Sequence, residues 1–139
     1  MEYFDNALDP IEYFDNALDP AMIISKQLTR SDIVGNMTLP TQQVMSVLTK
    51  WNGTTWNDLQ TGVQVQVFDL LENDRYQVTL RWVDDNSRFY FGTGWSIMKH
   101  SLELEEGKPF KLYWDHLHNT FVVLNHEYKL IQDSDSGQS

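Results

Sequence analysis

Hydrophobic side chains recur at every second position in three stretches of the chain. Val63, Val65 and Val67 alternate with Gln64 and Gln66, and Tyr76, Val78, Leu80 and Trp82 alternate with Gln77, Thr79 and Arg81. Phe110, Leu112 and Trp114 alternate in the same way with Lys111 and Tyr113. Successive side chains of an extended strand point to opposite faces, so a period of two puts one apolar face on a core and leaves the other polar. Glu72-Asn73-Asp74 separates the first two stretches and predicts a hairpin turn. Shorter strands are predicted at Met22-Ile23-Ile24, at residues 36–39 ending before Pro40, and at Phe89-Tyr90-Phe91. A last hairpin is predicted over residues 120–126, turning around residues 115–119.

Two stretches carry a helical period instead. Val44, Val47 and Leu48 fall at i, i+3 and i+4, which predicts a short helix over residues 41–49. Thr93-Gly94-Trp95 opens a helical turn through Ile97, Met98 and Lys99. The run Leu28-Thr29-Arg30-Ser31-Asp32 is rich in residues that favour turns and caps, and residues 51–61, with Asn-Gly and Asn-Asp pairs, read as a loop. The pattern is therefore mostly β, about seven strands with two short helices. Antiparallel chains of this kind close toward a barrel, which removes exposed strand edges.

Composition narrows the chemistry. At 139 residues the chain fits one domain with a core of its own, to which five tryptophans contribute large buried surfaces. Cysteine is absent, which excludes disulfides, a thiolate nucleophile and zinc-thiolate sites. No apolar leader follows Met1, and no apolar run approaches the ~18 residues of a membrane span, so neither secretion nor a membrane partner is expected.

The net charge of −10 is unevenly placed. Glu2, Asp5, Asp9, Glu12, Asp15 and Asp19 occupy residues 1–20 with no Lys or Arg, and Asp133 and Asp135 lie near the other end. Eight of the ten net negative charges thus fall outside residues 21–132. The expected division is an acidic, disordered leader over 1–20, a folded body over 21–132 and a solvated tail over 133–139. The leader contains a tandem repeat: residues 2–10 and 12–20 both read Glu-Tyr-Phe-Asp-Asn-Ala-Leu-Asp-Pro. Two copies are too few for a solenoid. A second reading makes them paired docking motifs for a protein partner, since aromatic and leucine side chains among carboxylates suit such a role and linkage adds effective concentration.

Other clusters favour structure over chemistry. Asp115, His116 and His118 sit where a hairpin tip is predicted, so turn geometry accounts for them better than a metal. Asp84-Asp85 and Glu105-Glu106 are neighbours in sequence, with no nucleophile or orienting group beside them, and read as solvated. Trp51 and Trp56 read as core or loop anchors, and Gly92-x-Gly94 lacks the lysine of a phosphate loop. No catalytic residue, cofactor or metal is expected.

The series Lys26-x-Leu28-Thr29-x-Ser31-Asp32-Ile33, followed by Leu39-Pro40 and a short helix, resembles the opening of the plant-specific B3 DNA-binding domain. So does Trp82 followed by Asn86-Ser87-Arg88-Phe89-x-Phe91 and Gly94-Trp95-Ser96. Leu104-Glu105-Glu106-Gly107-Lys108 before the strand at Phe110 is similar to that family's closing turn. The resemblance spans roughly residues 22–130 and is to reproductive-meristem-like or related small single-domain members. It implies an open seven-stranded pseudobarrel, nuclear residence and duplex DNA as partner in transcription regulation. Two arms would enter the major groove, corresponding here to residues 30–36 and 84–88.

The side chains that the resemblance selects are Arg30, Ser31, Asn36, Arg81, Asn86, Ser87 and Arg88. An arginine can fork onto guanine or phosphate, and an asparagine can pair with two atoms of an adenine edge. Ser31 and Ser87 would position the protein on phosphates. The chain also departs from the pattern of tight binders: Asn36 stands where a cation is common, Thr41 follows Pro40, and Asp84-Asp85 replace neutral polar residues. With three or four cations available, counterion release implies modest affinity at physiological salt. The alternative is a protein-interaction module on the same fold.

Overall fold

The alternating segments form strands along the expected lines in the computed structural model, which describes residues 18–125. Most of the tandem leader, the tail over 133–139 and His126 lie outside the described residues. A 3-10 turn over Pro20–Met22 precedes β1 (Ile23–Gln27), and α1 (Arg30–Val34), β2 (Met37–Leu39), α2 (Thr41–Leu48) and α3 (Trp56–Thr61) follow. The hairpin β3 (Val63–Asp69) and β4 (Asp74–Val83) leads into β5 (Arg88–Phe91) and α4 (Trp95–Ser101), and β6 (Pro109–Asp115) and β7 (Thr120–Val123) complete the order.

The seven strands form one sheet in the order β1-β6-β7-β3-β4-β5-β2. Every neighbouring pair is antiparallel except β3 and β7, which run parallel with Val67 opposite Phe121. This is the mostly β, barrel-like fold expected, with four short helices among the described residues where two were expected. The added helices are α1 and α3, at sites read as a turn-rich run and a loop. Each starts with a capping box: Thr29 and Thr55 cap the backbone of Asp32 and Asp58, and those carboxylates cap back. Reciprocal capping satisfies two orphan amide donors and lets a helix of five or six residues form.

The inward faces of the strands build one core. Val65, Val67, Val78, Leu80, Phe89, Phe91, Leu112, Trp114 and Phe121 are all buried in it. Trp51 anchors the segment before α3 by stacking on Trp114 at 4.3 Å, whereas Trp56 stays half-exposed, edge-on to Trp82 at 5.4 Å. Gly94, at φ 95°, sets the start of α4 so close to β4 that a Cβ there would lie 2.1 Å from the Gln77 carbonyl oxygen. Among the described residues, no helix is long and apolar enough to cross a membrane.

The outer strands β1 and β2 are bridged by side chains. Lys26 on β1 donates to Asp32 Oδ1 at 2.9 Å and to the Thr38 carbonyl on β2 at 2.6 Å. Thr38 N–H donates to the same Asp32 oxygen at 3.1 Å, and Thr29 N–H donates to the other at 2.8 Å. Asp32 is 1% exposed. Burial pushes its carboxyl up, but the donors from Thr29, Lys26 and Thr38 outweigh that and hold it below the usual carboxylate value. A carboxylate taken out of water survives only with such a set of donors. The same node satisfies the N–H and C=O of Thr38 on the edge strand β2, groups that would otherwise be open to pairing with another chain.

Candidate nucleic-acid interface

The first arm is α1 and the residues after it. The capping box starts the helix, and its far side is pinned to α4, where Trp95 Nε1 donates to the Asp32 carbonyl at 2.8 Å and Lys99 Nζ donates to the Ile33 carbonyl. Lys26 and Lys99 are therefore bonded within the scaffold, and Lys99 lies at the negative end of the α1 dipole. The arm's outer side exposes Arg30, Ser31, Val34 and Asn36.

The segment expected as the second arm, residues 84–88, is a tight turn over residues 84–87 followed by Arg88, the first residue of β5. Ser87 N–H donates to the Asp84 carbonyl at 3.2 Å, and Ser87 itself takes φ 53°, a left-handed conformation that closes the turn. Both oxygens of Asp84 are engaged, one by Trp82 Nε1 at 2.6 Å and the other by Gln60 Nε2 of α3 at 2.8 Å. Asp84 therefore braces the turn against α3, while Asp85 is exposed. On the other side of the turn, Asn86 Nδ2 donates to the Tyr90 hydroxyl at 2.6 Å.

Between the arms lies the outward face of β4 and β5. Register puts Arg81 opposite Tyr90, and Tyr90 opposite Thr38 of β2, so these three residues form a row across three strands. A cleft of about 440 Å³ runs over this face, lined by Asn36, Thr79, Arg81, Val83, Asn86, Tyr90, Gly92 and Thr93. Arg81 Nε donates to the Gln60 carbonyl at 3.1 Å. A guanidinium has five N–H donors, so this bond orients the group without consuming it. Among the described residues, no carboxylate lines the cleft.

Of the seven residues selected in the sequence, three come together in this cleft: Asn36, Arg81 and Asn86. Arg30, Ser31, Ser87 and Arg88 are exposed but lie outside its lining. Sequence reasoning missed Thr79, Tyr90 and Thr93, and it missed that Asp84 is a brace. The signal for Tyr90 was available: between Phe89 and Phe91 in a strand, a tyrosine takes the outward face. At the hairpin tip, His118 Nδ1 and Asp115 Oδ2 are 2.7 Å apart, and Leu117 N–H donates to Asp115 Oδ1. Among the described residues, no three His, Asp or Glu side chains are placed to hold a metal ion.

A seven-stranded sheet curled into a pseudobarrel is the architecture of a B3 domain. Residues 23–124 match the family described as B3 domain-containing protein At5g26805, C-terminal domain. The B3 domain-containing protein At1g43171 of Arabidopsis thaliana is 61% identical over 105 residues, covering 76% of this chain and 93% of that protein. At1g50220 of the same plant is also 61% identical, over 109 residues that cover 78% of this chain but only 53% of its own length. This chain thus spans about half of that relative. Among solved structures, the Arabidopsis thaliana transcription factor LEC2 in complex with DNA superposes with a TM-score of 0.57 at 21% identity, covering 76% of this chain and 95% of that one. The chain belongs to the B3 domain-containing protein family.

Proposed function

We propose that this chain binds duplex DNA in the major groove through the outer face of β4 and β5, and that it acts in transcription regulation in the nucleus. The reading rests on the cleft that holds Arg81 with Asn36 and Asn86 in its lining and, among the described residues, no carboxylate. From Arg88 to Gly92 the chain advances about 13 Å at ~3.3 Å per residue, close to the ~12 Å width of the major groove. Arg30, Arg81 and Arg88 would neutralise phosphates, Asn36 and Asn86 would read adenine edges, and Ser31 and Ser87 would hold phosphates. That likeness to LEC2 is one of fold; the DNA in its complex supports the reading without extending to target sequence.

Titrating a ¹⁵N-labelled chain with a short duplex tests the site. The expected result is progressive shifts of the amides of Asn36, Arg81, Asn86 and Thr93, with those of residues 103–109 unmoved. Shifts confined to another surface would refute this placement.

A further inference from the structure

We propose that Tyr90 is the positioning residue for base readout: its hydroxyl holds the amide of Asn86 so that the cleft offers one donor and one acceptor to an adenine edge. The inference rests on the duplex-binding reading above. Both residues line the cleft, and Asn86 Nδ2 donates to the Tyr90 hydroxyl at 2.6 Å. An asparagine amide carries two N–H donors and one carbonyl acceptor. With one N–H committed to Tyr90, the other N–H and Oδ1 remain, which is the pair that adenine N7 and N6 require.

A free amide at the tip of a turn rotates, and half a rotation exchanges its donor and acceptor ends. Here the rotation is opposed from both sides. The backbone is set by the left-handed Ser87 and by the two donors on Asp84. The side chain is held by the Tyr90 hydroxyl, and Tyr90 lies on β5 in register with Arg81 of β4 and Thr38 of β2. Ordering the amide before contact lowers the entropy lost on binding, and that gain applies only where the amide meets its matching base.

The test compares wild type, Tyr90→Phe and Asn86→Ala on a duplex selected by the wild-type chain, and on copies in which each A·T pair is replaced in turn by G·C. Tyr90→Phe removes one oxygen and keeps the ring. Asn86→Ala is expected to lose discrimination at one base pair, and Tyr90→Phe is expected to weaken discrimination at that same pair about fivefold, the effect of one hydrogen bond. The thermal midpoint should be unchanged in Tyr90→Phe, and the loss of affinity should be larger on the selected duplex than on random duplex. In the free chain the side-chain NH₂ resonances of Asn86 should shift in Tyr90→Phe. A selective wild type with an equally selective Tyr90→Phe, or equal losses on selected and random duplexes, overturns the inference alone. A wild type that binds no duplex removes the reading beneath it.

Discussion

Replacing Asp32 with alanine removes the carboxylate that joins the two outer strands of the sheet. Three donors lose their acceptor: Lys26 Nζ at 2.9 Å, Thr38 N–H at 3.1 Å and Thr29 N–H at 2.8 Å. Breaking a buried pair by deleting one partner costs about 3–5 kcal/mol, because the other charge stays desolvated. Lys26 keeps the Thr38 carbonyl and its side chain is 18% exposed, so the lower end applies. The expected loss is about 3 kcal/mol, a fall in thermal midpoint of roughly 10–15 °C for a domain of this size. Urea unfolding should show it with an unchanged slope, and hydrogen exchange should show the Thr38 amide losing protection. Replacing both partners by apolar residues, Lys26→Met with Asp32→Leu, should cost less than Asp32→Ala alone, because no charge is left buried.

The pH dependence has a definite sign. The folded carboxyl is held below its ordinary value of 3.8, so its contribution is full above that value and disappears as pH falls through the lower folded value. Wild type and Asp32→Ala should therefore converge in stability at acid pH. A loss below about 1 kcal/mol at neutral pH, the net worth of one ordinary hydrogen bond, would show that Asp32 does not hold the two outer strands together.

Gly94→Ala should destabilise the fold by about 3 kcal/mol or more, since it adds backbone strain at positive φ and a Cβ 2.1 Å from the Gln77 carbonyl oxygen; thermal melting checks it, and a midpoint within 2 °C of wild type, well under the ~4 °C per kcal/mol expected, would count against the close approach. Arg81→Ala should weaken binding to all duplexes alike and reduce the slope of log affinity against log salt by about 1, as read by anisotropy over a salt series.

The fold was legible where burial imposes a period. The three alternating stretches became β3, β4 and β6, and the spacing of Val44, Val47 and Leu48 became α2. The helices α1 and α3 were not, because each buries one residue, Asp32 and Leu59, and a helix held by its caps has no apolar stripe to read. Their signal was Thr-x-x-Asp, which also suits a turn. The parallel pairing of β3 with β7 joins segments more than fifty residues apart and leaves no local trace.

The site was legible only in part, for a related reason. The motif Lys26…Thr29…Asp32 that carries the family resemblance turns out to hold the scaffold together rather than to face the cleft. Asn36, Arg81 and Asn86 were selected for their chemistry and do share a surface. Tyr90 and the bracing role of Asp84 depend on which side chains meet across strands. Asp84 reads in sequence as a charge that repels phosphate, whereas the fold turns both its oxygens onto Trp82 and Gln60.

Fluorescence anisotropy of a labelled duplex against the whole chain over a range of salt measures duplex binding itself. Three exposed arginines, Arg30, Arg81 and Arg88, give an expected log–log slope of about −3, so affinity should fall roughly forty-fold between ~50 and ~200 mM salt. Binding at low salt with that slope is expected. No binding to any duplex at low salt, or binding that is indifferent to salt, would contradict it.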